Sequence, residues 1–101
     1  MTGDIEFLEP WFTTGNPEFV GELRRELPPG HVLFGVSVSA VARRYDRDEV
    51  LFALDDGSGR VAAVHLTYAR EAQPTWPSTR LFDSLEAWTE SMKLEHDEFG
   101  A

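Results

Sequence analysis

The sequence predicts an α+β domain in which an antiparallel meander of three to four strands packs against an N-terminal and a C-terminal helix. Three observations carry this expectation. A proline-punctuated helical pattern ends before residue 28, strand-like segments joined by tight turns fill residues 36–68, and a stripe of helical period follows residue 83. A chain of 101 residues has room for one hydrophobic core, so a single domain covers 1–101, with residues 1–15 as an N-terminal arm.

The first helix begins at Asn16-Pro17-Glu18. This tripeptide supplies a capping oxygen, a proline whose fixed φ suits the first helical position, and a carboxylate at the positive end of the helix dipole. Val20, Leu23 and Leu27, with Phe19 beside them, make the stripe to be buried; Glu18, Glu22, Arg24, Arg25 and Glu26 fall on the other side. Pro28-Pro29-Gly30 ends the helix by Leu27, because proline lacks the amide donor and disfavours helical geometry in the residue before it.

Val36, Val38, Ala40 and Ala42 then alternate with Ser37, Ser39, Val41 and Arg43, the period of a half-buried strand. Tyr45 to Asp48 makes a turn. Glu49 to Leu54 is apolar at nearly every position, which predicts a central strand covered on both faces. Asp55-Asp56-Gly57-Ser58-Gly59 reads as a hairpin rather than a phosphate or calcium loop, since strands flank it on both sides. Arg60 to Tyr68 is the third strand, with Ala62, Val64, Leu66 and Tyr68 on one side and Val61, Ala63, His65 and Thr67 on the other. Residues 69–80 hold two prolines and no period, a surface loop; Leu81-Phe82 adds a very short edge strand. Asp83 is expected to cap the second helix, with Glu86 completing a capping box and Leu85, Trp88 and Met92 on its core face. The acidic tail 93–101 either extends this helix or frays.

Composition narrows function more than any motif. The net charge of −9 repels nucleic-acid phosphates and anionic lipid headgroups. Without cysteine there is no disulfide, thiol nucleophile or Cys-based metal site, and no cofactor motif is present. No apolar run approaches the roughly 20 residues of a membrane span, and the N-terminus lacks the basic and apolar regions of a signal peptide, so the expected location is cytoplasmic. The excess charge lies in the flanks: residues 1–30 carry six acids and two bases, 31–82 six of each, and 83–101 six acids and one base.

Among chemistry-bearing residues, His65 is the best placed of the three histidines to act as a general base, because a strand position aims its ring at a defined face. A partly buried, hydrogen-bonded histidine is the structural alternative. His96-Asp97-Glu98 offers metal-type side chains, but consecutive helical residues diverge by about 100° and cannot meet on one ion, so no metal site is expected. Pro10-Trp11-Phe12 and Pro74-Thr75-Trp76-Pro77 hold tryptophans in preset loops, where exposed aromatics serve as binding hot spots or fold back to lid the core. Trp76, Tyr68, Arg70 and Trp11 are the candidate binding residues.

Val50-Leu51-Phe52-Ala53-Leu54-Asp55-Asp56-Gly57, Val61 to Thr67, Trp76-Pro77 and Leu81-Phe82-Asp83-Ser84-Leu85-Glu86-Ala87-Trp88 together resemble a group of small bacterial proteins without an assigned activity, over about residues 30–99. That resemblance implies a compact α+β domain in a bacterial cytosol. A looser likeness, in element order and acidity, is to immunity proteins that neutralise toxins. The expectation is a non-enzymatic interaction module whose acidic flanks select a basic protein partner by electrostatic steering, with homodimerisation through a sheet edge or the Trp76 loop as a further partner arrangement. The competing expectation is a small enzyme or ligand-binding protein using His65.

Overall fold

The computed structural model describes residues 7–69, 73 and 76–99. Arg70 lies outside them, as does most of the loop that precedes Trp76. The elements run β1 (Trp11–Thr13), α1 (Pro17–Glu26), β2 (Val38–Arg44), β3 (Glu49–Leu54), β4 (Val61–His65), β5 (Thr79–Phe82) and α2 (Leu85–Phe99). The strands form one sheet in the order β1-β2-β3-β4-β5, every neighbouring pair antiparallel. The α+β class therefore holds, while the sheet is larger than the three to four strands expected. The extra strand comes from the N-terminal arm, where Trp11, Phe12 and Thr13 pair with Arg44, Arg43 and Ala42. Three residues are too few to register as a period of two.

β3 sits at the centre, as its continuous apolar run requires, and its alternate residues feed two separate cores. Val50, Phe52 and Leu54 join Leu23, Leu33, Val38, Ala62, Val64 and Leu66 beneath α1. Leu51 joins Trp11, Ala42, Val61, Ala63, Trp88 and Met92 beneath α2. One helix thus covers each face of the sheet. Antiparallel sheets usually leave one face to water; here neither is free. The α2 core is aromatic, with Trp11 edge-on to Trp88 at 5.1 Å between ring centroids and Phe7 tilted against Trp88 at 5.6 Å.

Three local expectations need correction. Alternation along β2 is broken by a bulge between Ala40 and Ala42. The inserted residue turns Ala42 and Arg44 toward α2 instead of leaving them in line with Val38 and Ala40, as bulges re-aim side chains. On α1, Asn16 caps as read, its Oδ1 accepting from the Glu18 N–H at 3.0 Å. Glu22 and Glu26, however, are buried rather than on the outer side. The cap of α2 is Ser84, whose Oγ accepts from the Ala87 N–H at 3.0 Å, not Asp83. The helix continues to Phe99, so the tail extends it. Between β3 and β4, Gly57 and Gly59 take φ of 80° and 78°, and Asp56 accepts from the Ser58 N–H at 3.0 Å, a closed hairpin.

Because the two cores are separate, each helix is tied to the sheet by its own apolar anchor. Leu23→Ala is expected to cost about 2–5 kcal/mol and Trp88→Ala about 3–5 kcal/mol, whereas Leu94→Ala, at an exposed site, should stay within about 0.5 kcal/mol. Urea denaturation of the three variants checks this ranking.

Candidate functional site

The sequence candidates separate onto different parts of the molecule. Trp11 is only 2% exposed and belongs to the α2 core, so the surface role expected of it gives way to the lid role. Its indole N–H donates to Glu95 at 3.2 Å, which satisfies the one polar atom that burial would orphan. Trp76 is 45% exposed and shares a shallow depression on the α2 side of the sheet with His65, Arg47, Glu49, Arg80 and Glu95. Tyr68 is exposed on the other side, against α1. His65 and Tyr68 therefore do not share a pocket.

The floor of the Trp76 depression is an ion-pair network. Glu49, whose side chain is almost fully buried, accepts from Arg47 Nε at 3.0 Å and from Arg80 Nη2 at 3.0 Å. Arg80 Nη2 also reaches Glu95 on α2 at 3.0 Å, and Glu95 lies 3.5 Å from Arg44 Nη1. Arg44 in turn grips Asp46 through two bonds of 2.8 and 2.7 Å. That fork, with burial opposing it, holds the Asp46 carboxyl below its usual range. Four elements and the β2–β3 turn converge here only because the bulge sends Arg44 to this face. The guanidiniums and carboxylates are paired with one another across the depression. His65 stands directly across from Glu49 with its ring exposed to solvent. Among the described residues no cluster of three or more His, Asp or Glu side chains is gathered to hold a metal ion.

Pro77, the residue after Trp76, is tied to the fold by a residue that carried no role in the sequence. His31 is buried; its Nδ1 accepts from the Leu33 N–H at 3.0 Å, which leaves Nε2 protonated to donate to the Pro77 carbonyl at 2.9 Å. Thr79 Oγ1 donates to the same carbonyl at 2.9 Å. The satisfied buried histidine is thus His31 and not His65. A Pro-Gly turn followed by a histidine gave no period from which this could be read.

On the α1 side, Glu26 has no exposed surface and clamps the end of β4. It accepts from the Thr67 N–H at 2.8 Å, the Thr67 hydroxyl at 3.1 Å and the Tyr68 N–H at 2.7 Å. Tyr68 is held at a φ of 54°, left-handed backbone that a non-glycine residue adopts only when its surroundings enforce it. Burial and a hydrogen bond with Glu22 push the Glu26 carboxyl up to about 7, against the opposing pull of the Thr67 and Tyr68 donors. The same shared bond, with Arg25 assisting, holds Glu22 low. The two carboxyls therefore share one proton near neutral pH.

No protein-family model matches the chain, and neither the curated proteins nor the solved structures give a match. The resemblance to small bacterial proteins consequently supplies no site by comparison, and the functional reading rests on the geometry.

A carboxyl raised in the folded state favours folding most while it is protonated in both states, and loses that contribution as pH climbs from the unfolded value of 4.5 through about 7. Stability is expected to fall by on the order of 2 kcal/mol between about pH 5 and pH 8. Glu26→Gln keeps acceptance from Thr67 but sets an amide N–H against that of Tyr68, so the variant should be weaker at the acidic end and flatter across the range. Thermal melts of both proteins at several pH values check this; a curve for the Glu26→Gln variant as steep as that of the parent would reassign the dependence to other groups.

Proposed function

We propose that the protein is a non-enzymatic recognition module that docks a basic protein on the surface around Trp76. The observation that carries this reading is a half-exposed tryptophan, followed by a proline that His31 holds, beside a depression whose charges are already paired. Aromatic anchors of low conformational freedom dominate binding energy at protein interfaces, and pre-set neighbours reduce the ordering cost of association. The depression is shallow, as a protein contact requires, and the paired guanidiniums and carboxylates of its floor can meet a partner without first being disentangled. Alongside it α2 turns Glu86, Glu90 and Asp97 to solvent with a single lysine, Lys93, which already leans toward Glu90 at 3.6 Å. That acidic flank and the net charge of −9 favour a cationic partner and speed its approach.

An inhibitor of immunity type, acting in a bacterial cytosol on a basic toxin, is the specific form this reading takes. No helix among the described residues is long and apolar enough to cross a membrane. The enzyme reading has weaker support, since the ring of His65 faces water and Tyr68 stands on the opposite side of the sheet.

Affinity capture with the parent chain and with Trp76→Ala, each at low and at physiological salt, tests the proposal. A basic protein retained by the parent, at least tenfold depleted on the variant, and associating more slowly as added salt shortens the Debye length toward about 8 Å is the expected result. Identical capture by the two baits, or an association rate indifferent to salt, would refute it.

A further inference from the structure

β5 is the outermost strand on its side of the sheet, and its free edge differs from that of β1 on the other side. We propose that β5 pairs antiparallel with β5 of a second copy of this chain across a two-fold axis at Leu81, joining two five-stranded sheets into one continuous sheet.

The ladder decides which backbone groups each edge offers. The His65 N–H donates to the Ser78 carbonyl at 2.9 Å, and Ala63 and Val61 lie opposite Arg80 and Phe82. Hydrogen-bonded pairs alternate along antiparallel strands, so Ser78, Arg80 and Phe82 turn their amide groups to β4 while Thr79 and Leu81 turn theirs outward. No hydrogen bond to those outward groups occurs among the described residues. β1 is blunted by comparison: Pro10 brings no donor, and the outward Trp11 N–H is closed on the Leu8 carbonyl at 2.9 Å. Charge on an edge strand ordinarily repels an incoming strand. Arg80 does not serve that way, because Glu49 and Glu95, each 3.0 Å away, draw its guanidinium onto the α2 face. Leu81 meanwhile stays 38% exposed on the other face.

Register selects the occupant. The outward groups of Leu81 can pair with those of Thr79, Leu81 or Asp83 of the second copy. Pairing with Thr79 would set the two Arg80 side chains directly opposite each other, and like charges so placed are destabilising. Pairing with Asp83 would set a carboxylate against the Leu81 side chain. Pairing Leu81 with itself puts leucine on leucine on one face, Arg80 opposite Phe82 on the other, and Thr79 opposite Asp83. Arg80 already stands 5.7 Å from the ring centroid of its own Phe82, so the second copy offers a contact of a kind each chain makes alone. Two-fold symmetry supplies both halves of this match from one segment, and the blunted β1 edges stop growth at two copies. A ladder of four residues buries less than a standard interface of about 1,600 Å², so the pair forms at high protein concentration.

Sedimentation equilibrium of the full chain from about 10 µM to about 1 mM should show the mass rise from 11.4 kDa toward twice that value. Added salt should favour the pair, because each copy carries a charge of −9; this is opposite in sign to the salt effect on a basic partner and separates the two associations. Hydrogen exchange at the outward Leu81 amide should slow as concentration rises, while the inward Arg80 amide keeps its rate. Leu81→Lys and Leu81→Glu each place like charges on the axis and should raise the concentration needed for pairing at least tenfold. An equimolar mixture of the two variants should restore it, since residue 81 faces itself only in this register. The site is exposed, and circular dichroism confirms that both variants fold. The inference is overturned if the chain stays single at about 1 mM, which would leave the edge to a strand of another protein. It is equally overturned if the charged variants pair as the parent does, if their mixture is no stronger than either alone, if salt weakens the pair, or if the mass climbs past two copies.

Discussion

β3 is apolar on both of its faces, and that one property dictates the layering of the molecule. A strand with Val50, Phe52 and Leu54 on one side and Leu51 on the other cannot leave either side in water without exposing large apolar area, at roughly 25 cal/mol for each Å². A helix must therefore cover each face, although an antiparallel meander is under no topological obligation to have two. α1 connects β1 to β2 and α2 follows β5, so each folds over a different face without crossing the chain. The apolar stripe of each helix is short, and it suffices because each has to seal only half of the burial.

Covering both faces has an electrostatic consequence. Where α2 crosses the end of β3, the strand begins with Glu49, a carboxylate that the helix would otherwise bury unpaired. A buried charge without a partner costs several kcal/mol. Arg47 and Arg80 neutralise it, Glu95 balances Arg80, and Arg44 balances Glu95, so the network grows until it reaches solvent at Asp46. The bulge in β2 is part of this solution, because without it Arg44 would face α1. On the other side Glu26 meets the same problem differently: its partners are backbone donors, and it shares a proton with Glu22 instead of recruiting a cation.

Much of this architecture is legible in the sequence, and what is not has a definite physical reason. The Asn16 cap, the Pro28-Pro29 stop, the central position of β3 and the Gly57 and Gly59 hairpin depend on local chemistry that the residues themselves display. β1 is invisible because three residues cannot show a period, and its pairing with β2 is a long-range event. The bulge is invisible because the small residues Ala40, Val41 and Ala42 fit either face. Glu22 and Glu26 read as a solvated side because glutamate is rarely buried, and only the position of the Thr67 and Tyr68 amide donors makes burial favourable. The candidate site was half legible: an aromatic in a proline-bounded loop singled out Trp76, but nothing in the sequence linked it to His31, 45 positions earlier in the chain.

The separation of the two exposed surfaces follows from the same layering. Because the sheet is sealed on both sides, side chains that face α2 and those that face α1 cannot communicate through a shared pocket, and His65 and Tyr68, only three residues apart, end up with different neighbours. An active centre built from strand side chains needs several of them converging on one open face; here the α2 helix occupies the face on which Glu49, Ala63 and His65 project, and only its rim stays open beside Trp76. What such a fold presents to solvent are margins: a helix flank, a loop-borne aromatic, a hollow beside a turn. Margins of this kind are shallow, and that shape is the geometric ground on which the proposed contact with another protein rests.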